Sequence, residues 1–124
     1  MMRWFLVLGA VNAFLSVAAG AFGAHALRAR LPVDLQVIFE TGARYHMYHA
    51  LGLVAVGLLG HLRPSPLLAG AGWSMLAGII LFSGSLYALA LSGVRVLGAI
   101  TPLGGVGFLA GWLLFAMAAW RTTQ

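Results

Sequence analysis

The chain has 124 residues, of which 62% are hydrophobic and 7% charged. A soluble domain of this size needs far more polar surface over its core, so the composition excludes one and predicts a single membrane-embedded domain over residues 1–124. The formal charge of +5 comes from Arg3, Arg28, Arg30, Arg44, Arg63, Arg95 and Arg121 set against Asp34 and Glu40; arginines scattered singly near the ends of apolar runs suit lipid headgroups, not nucleic acid.

In lipid every backbone polar group has to be satisfied internally, so the apolar runs are read as helices. The first spans residues 4–27. Ala24-His25-Ala26 matches a leader-peptidase pattern, but the apolar run is longer than a signal core, so the segment is expected to remain as a membrane helix. Gly9, Asn12, Ser16, Ala19, Gly20 and Gly23 recur at helical spacing and share one face. Lipid supplies no hydrophobic force between helices, so close backbone approach and polar contact on this face should hold a neighbour.

Residues 28–44 are the most polar stretch, with a helical segment expected over 32–44. Pro32 and Asp34 suit a first helical turn, and Glu40 and Arg44 stand at a spacing at which side chains meet on a helix. This reads as an amphipathic helical segment lying at the membrane interface and leading into a second span over 45–62, closed by Arg63-Pro64-Ser65-Pro66. A third span over 67–91 carries small residues at Ala71, Ser74, Gly78, Ser85, Ala88 and Ser92, with Ser83 counted in the same packing set, and Ser92-Gly93 closes it. The fourth, 102–120, follows Thr101-Pro102, a favoured helix start. Its Gly104, Gly107 and Gly111 form a close-approach face, used either inside the bundle or between molecules. Trp4, Trp112 and Trp120 lie near span ends, Trp112 about a turn too deep for an interfacial belt.

The expected fold is therefore all-α: a four-transmembrane-helix bundle with an amphipathic interfacial segment between helices one and two. Arg3, Arg63 and Arg121 fall on one side and Arg28, Arg30, Arg44 and Arg95 on the other, which gives no positive-inside bias.

Cysteine is absent, which removes disulfides, thiolate metal sites and cysteine nucleophiles. No catalytic triad and no phosphate-binding loop is present. The densest polar constellation is Glu40, Arg44, Tyr45, His46, Tyr48 and His49, with His25 on the same side of the membrane. Three readings apply. Imidazoles can hold a metal or haem, but His46 and His49 are adjacent on one helix and cannot ligate opposite faces of one haem. A proton or ion path would use ionisable groups near mid-depth, where only Asn12, Ser16, Ser83, Ser85 and Tyr87 are expected. The structural reading needs only what the spacings give: these groups hydrogen-bond between helices, with His25 and His49 expected to approach each other or share a polar partner at one membrane face.

Four ordered blocks resemble one family: Gly20-Ala-Phe-Gly-Ala-His25-Ala-Leu27, Arg44-Tyr45-His46-Met-Tyr48-His49-Ala-Leu51, Leu81-Phe-Ser-Gly-Ser-Leu-Tyr87, and Thr101-Pro-Leu-Gly-Gly105 with Phe108-Leu-Ala-Gly-Trp112. This is the domain-of-unknown-function family 423. The resemblance implies a four-helix protein of bacterial inner membranes or mitochondria and brings no activity with it. The family pattern more often has glutamine at the position of His46, a poor metal ligand and a good hydrogen bonder.

The reading that follows is a structural or accessory subunit of a membrane complex, or a homo-oligomer, without enzymatic activity, metal or cofactor. Its expected partners are the lipid bilayer, other membrane subunits or a second copy, and no nucleic acid. The rival is a small transporter or channel built on Glu40, Arg44, His49 and Asn12.

Overall fold

The computed structural model describes residues 2–122, which are helical throughout apart from short connections. Four long helices follow one another: α1, Met2–Leu27, whose last turn is of π type; α2, Val33–Leu62; α3, Pro66–Ser92, with a π turn at Ile79–Ser83; and α4, Thr101–Thr122, preceded by a 3-10 turn at Arg95–Ala99. Three stretches are long and apolar enough to cross a membrane: Met2–Leu27, Pro66–Ser92 and Arg95–Arg121.

The boundaries follow local chemistry. Pro32 precedes the first residue of α2. Ser65 caps α3 by accepting a hydrogen bond from the Leu68 N–H, with Pro66 in the first turn, where its missing N–H is harmless. α3 ends at Gly93, whose φ of 75° is a left-handed conformation open to glycine without steric cost.

Segment 32–44 departs from expectation. It is not a separate element lying along the interface: its residues from Val33 onward are the first turns of a single helix of 30 residues, about 45 Å long. Leu35, Phe39, Gly42 and Ala43 on its inner side are buried, and this packing keeps the segment on the axis of the bundle. α2 is the central helix, in contact with α1 along its length and with α3 and α4.

Glycines set the helix spacings. A Cβ on Gly9 would lie 2.8 Å from the Ala50 carbonyl oxygen, one on Gly57 would lie 2.9 Å from the Leu6 nitrogen, and one on Gly23 would lie 2.8 Å from the Phe39 ring, so α1 and α2 run side by side at close range. The small-residue face of α4 is used in the same way inside the bundle: Gly107 faces Ser74 and Gly78, and Gly111 faces Met75. Gly78 is notched by the Phe108 ring. Gly20 is the exception among the expected packing glycines, with nothing within 4 Å of an added Cβ. The main core gathers Phe5, Leu53, Val56, Leu68, Met75 and Phe108 from all four helices.

Candidate functional site

The two buried histidines of the interior lie on α2 and are met by polar partners from the neighbouring helices. His46 is buried and lies between Asn12 on α1 and Tyr87 on α3. Asn12 donates its side-chain N–H to the Leu8 carbonyl (2.8 Å), which leaves Oδ1 facing His46. Oδ1 accepts from His46 Nε2–H at 2.8 Å, and the remaining lone pair on Nδ1 accepts from the Tyr87 hydroxyl at 2.9 Å. The result is one directional chain, from the Tyr87 hydroxyl through the imidazole and the Asn12 amide to the Leu8 carbonyl. It ties three helices together and uses both ring nitrogens.

His49 is occupied in the same way. Nδ1–H donates to the Tyr45 carbonyl (2.7 Å), and Nε2 accepts from the Trp112 indole N–H of α4 (3.0 Å). The imidazole stacks on Phe108 with ring centroids 3.4 Å apart. Trp112 is thus a hydrogen-bond donor into the bundle, which is why it lies deeper than an interfacial anchor. The serines complete the set. Ser16 on α1 and Ser83 on α3 donate to consecutive carbonyls of α2, those of Ala43 and Gly42, each at 2.7 Å. Ser85 meets the Thr101 hydroxyl of α4 at 2.6 Å. Every buried side-chain nitrogen and oxygen among the described residues has a partner.

Four expected members stand apart from this interior. Glu40 and Arg44 form an ion pair of 3.2 Å on the outside of α2, with 72% and 51% of their side chains exposed. Tyr48 is exposed beside them, and Tyr45 packs on its ring edge. His25 is exposed in the last turn of α1 and is not brought to His49. Gly23 packs on Phe39, so at 1.5 Å per residue His25 and His49 are separated by about 18 Å along the bundle. The expected single constellation is therefore divided into an interior network around His46 and His49, an outer ion pair, and a lone histidine at one end.

Asn12, Ser16 and Ser83 were legible in the sequence as polar members of packing faces and Tyr87 as a mid-depth polar residue, but their joint attachment to α2 had no signal of its own. The Asp34–Arg95 pair was also missed. Its 2.5 Å contact ties the start of α2 to the 3-10 turn before α4, across 61 positions of sequence. The Arg95 guanidinium holds the Asp34 carboxyl below its ordinary value, both groups lying at the water-exposed end.

The described residues hold no group of three or more His, Asp or Glu side chains placed to share a metal ion. Two grooves remain on the outside: an apolar one of about 610 Å³ between α2 and α4, lined by Tyr45, Tyr48, Phe108 and Leu109, and a mixed polar and apolar one of about 460 Å³ between α1 and α2, lined by Gly20, Ala24, Arg28 and Glu40.

Comparison with known proteins finds membrane-protein relatives that match over nearly the whole chain. A family described as "Protein of unknown function (DUF423)" matches residues 19–105. The UPF0382 membrane protein YwdK of Bacillus subtilis is 50% identical over 119 residues, 95% of this chain and 97% of its own length. The UPF0382 membrane protein SERP0230 of Staphylococcus epidermidis is 50% identical over 94% of this chain and 95% of its own. SSP2132 of Staphylococcus saprophyticus is 44% identical over 97% and 99%. No solved structure matches. With membrane-protein relatives matched over nearly their whole length and three membrane-length apolar helices, the chain is a multi-pass membrane protein, and it belongs to the DUF423 family of proteins of unknown function.

Proposed function

We propose that this protein is a four-span, non-enzymatic component of the bacterial inner membrane that acts by association, as an accessory subunit of a membrane complex or as a homo-oligomer. α2 carries more polar residues than the three membrane-length apolar helices, yet it lies antiparallel to α1 over the full length of both. Gly57 faces Leu6, Gly9 faces Ala50, Ser16 reaches Ala43 and Gly23 faces Phe39. Whatever thickness α1 crosses, α2 crosses with it.

The observation that carries the reading is the complete internal use of the polar interior. Both nitrogens of His46 and of His49 are committed to bonds between or within helices, and the serines clamp carbonyls of α2. Groups consumed in this way hold helices together and offer no open coordination or proton-accepting position. The depth of His46, level with Asn12 in the middle of α1, is the one feature that favours transport, because transporter sites lie near the midplane. Against transport, the chain of hydrogen bonds ends at the Leu8 carbonyl, a backbone group already within a helix, so it connects neither membrane face to the other.

Gentle detergent extraction followed by mass determination tests the proposal. A defined particle larger than one chain, containing either copies of this protein or a stoichiometric companion, is the expected result. A monomer that takes up or releases an ion in reconstituted vesicles would replace association with transport.

A further inference from the structure

The lipid-facing sides of α1, α3 and α4 carry apolar residues through the span: Val7, Val11, Phe14 and Val17 on α1, Ile80 and Leu81 on α3, Val106, Leu109 and Leu113 on α4. The exposed stripe of α2 differs. It begins apolar at Val33 and Val37, passes through Glu40, Arg44 and Tyr48, and becomes apolar again at Leu51, Leu58 and Leu62. Spacings of three and four residues place all of these on one face of a straight helix.

The depth of the ion pair follows from its neighbour. Ser16 donates to the Ala43 carbonyl, and Ser16 is about 20 Å of helix from Arg3 and about 16 Å from Leu27. A hydrocarbon core of about 30 Å centred on the roughly 39 Å of α1 places the Arg44 backbone about 14 Å inside the boundary and Glu40 about 8 Å inside. An arginine can extend toward the headgroups, but the short carboxylate of Glu40 cannot, and it holds the Arg44 guanidinium at 3.2 Å. Ionised groups at this depth normally face a bundle interior or a partner, not lipid.

We propose that the outer face of α2 is a contact between two copies of this chain, in which the second copy supplies the carboxylate and the guanidinium that face Arg44 and Glu40. The inference rests on the associative reading above and names its partner. Charge complementarity selects a second copy: about a two-fold axis along the membrane normal, the acid of each copy and the base of the other are offset by one turn and can close two diagonal acid–base pairs. In two parallel copies Glu40 of one stands a turn from Arg44 of the other, and Arg44 already spans that rise to reach Glu40 within its own chain. The groove beside the pair is floored by Gly20, whose absent side chain has no internal packing role, and so leaves room for an approaching helix.

Charge-reversal pairing is the direct test. Glu40→Arg places two bases on the face and Arg44→Glu two acids, so each variant alone should dissociate, with the apparent dissociation constant raised at least about tenfold. Co-expressed under different tags, the two should form a mixed pair that co-purifies. A role confined to the pair within one chain predicts no such rescue, and failure of the mixture to associate, or wild-type association of each variant alone, overturns the proposal. Because a reversed charge can impair insertion, a second measurement leaves the pair intact. The chain has no cysteine, so Val37→Cys and Tyr48→Cys each give one thiol beside the pair. Oxidation in native membranes should link one or both into dimers, and not Val11→Cys or Leu113→Cys on the faces of α1 and α4. Absence of a link at both α2 positions also overturns it. If the native particle then contains a different companion protein and one copy of this chain, the associative reading survives and this inference does not; a lone monomer removes both.

Discussion

Replacing Gly104 with alanine should destabilise the detergent-solubilised protein by about 2 kcal/mol or more, while the same change one residue later, at Gly105, should be neutral or stabilising. A Cβ on Gly104 would run into the Phe82 backbone nitrogen and lie 2.7 Å from the Phe82 Cα, so two helix backbones would have to move apart. Overpacking against a side chain typically costs about 1–3 kcal/mol, and against backbone the side-chain route to relief is closed. A Cβ on Gly105 meets nothing within 4 Å, and alanine gains up to about 1 kcal/mol over glycine in a helix interior. Both substitutions add one methyl to adjacent residues of one helix, so helix propensity nearly cancels in the comparison. Thermal unfolding of the two variants in one detergent reads the difference, and equal melting temperatures would refute the close α3–α4 approach.

His46→Leu should cost about 1–3 kcal/mol and His46→Gln less than about 1 kcal/mol. Leucine fills the site but leaves the Asn12 carbonyl oxygen and the Tyr87 hydroxyl without partners among buried surroundings. Hydrogen bonds between membrane helices average about 0.6 kcal/mol and reach about 1.7, and two are lost here. A glutamine amide offers one acceptor and one donor, the same pair of roles that the neutral imidazole plays toward Tyr87 and Asn12. Unfolding by a denaturing detergent, followed by helical circular dichroism, separates the two variants. If glutamine is as damaging as leucine, the site needs imidazole itself, and a ligand-binding role for His46 replaces the hydrogen-bonding one.

The helices and their packing glycines were legible because lipid imposes simple rules: apolar length, small residues at helical spacing, and proline or glycine at the ends. Those rules placed Gly9, Gly78, Gly104, Gly107 and Gly111 on packing faces, where the structure also has them. The misreading of residues 32–44 had a physical source. Asp34, Glu40 and Arg44 are polar enough to suggest a helix lying at the interface, and the burial of Leu35, Phe39, Gly42 and Ala43 on the opposite side is a tertiary fact. That single shift moved His46 and His49 from the membrane surface to the middle of the bundle and parted them from His25. In the proposed four-span arrangement it also moves Arg44 into the span, leaving Arg3, Arg63 and Arg121 at one end and Arg28, Arg30 and Arg95 at the other. The π turn at Ile79–Ser83 has no proline and no distinctive residue pattern. It lies where Gly78 and Phe82 crowd against Phe108 and Gly104 on α4, contacts that only the assembled bundle defines.

The central claim is that α2 crosses the membrane as the axis of a four-span bundle, and single-cysteine accessibility tests it most directly. With no native cysteine to interfere, Ala29→Cys probes the turn before α2 and Pro64→Cys the turn after it. A membrane-impermeant maleimide applied to intact cells should label one of the two positions, and the other only after permeabilisation. Labelling of both from the same side would mean that α2 does not cross, and the four-span bundle would have to be abandoned.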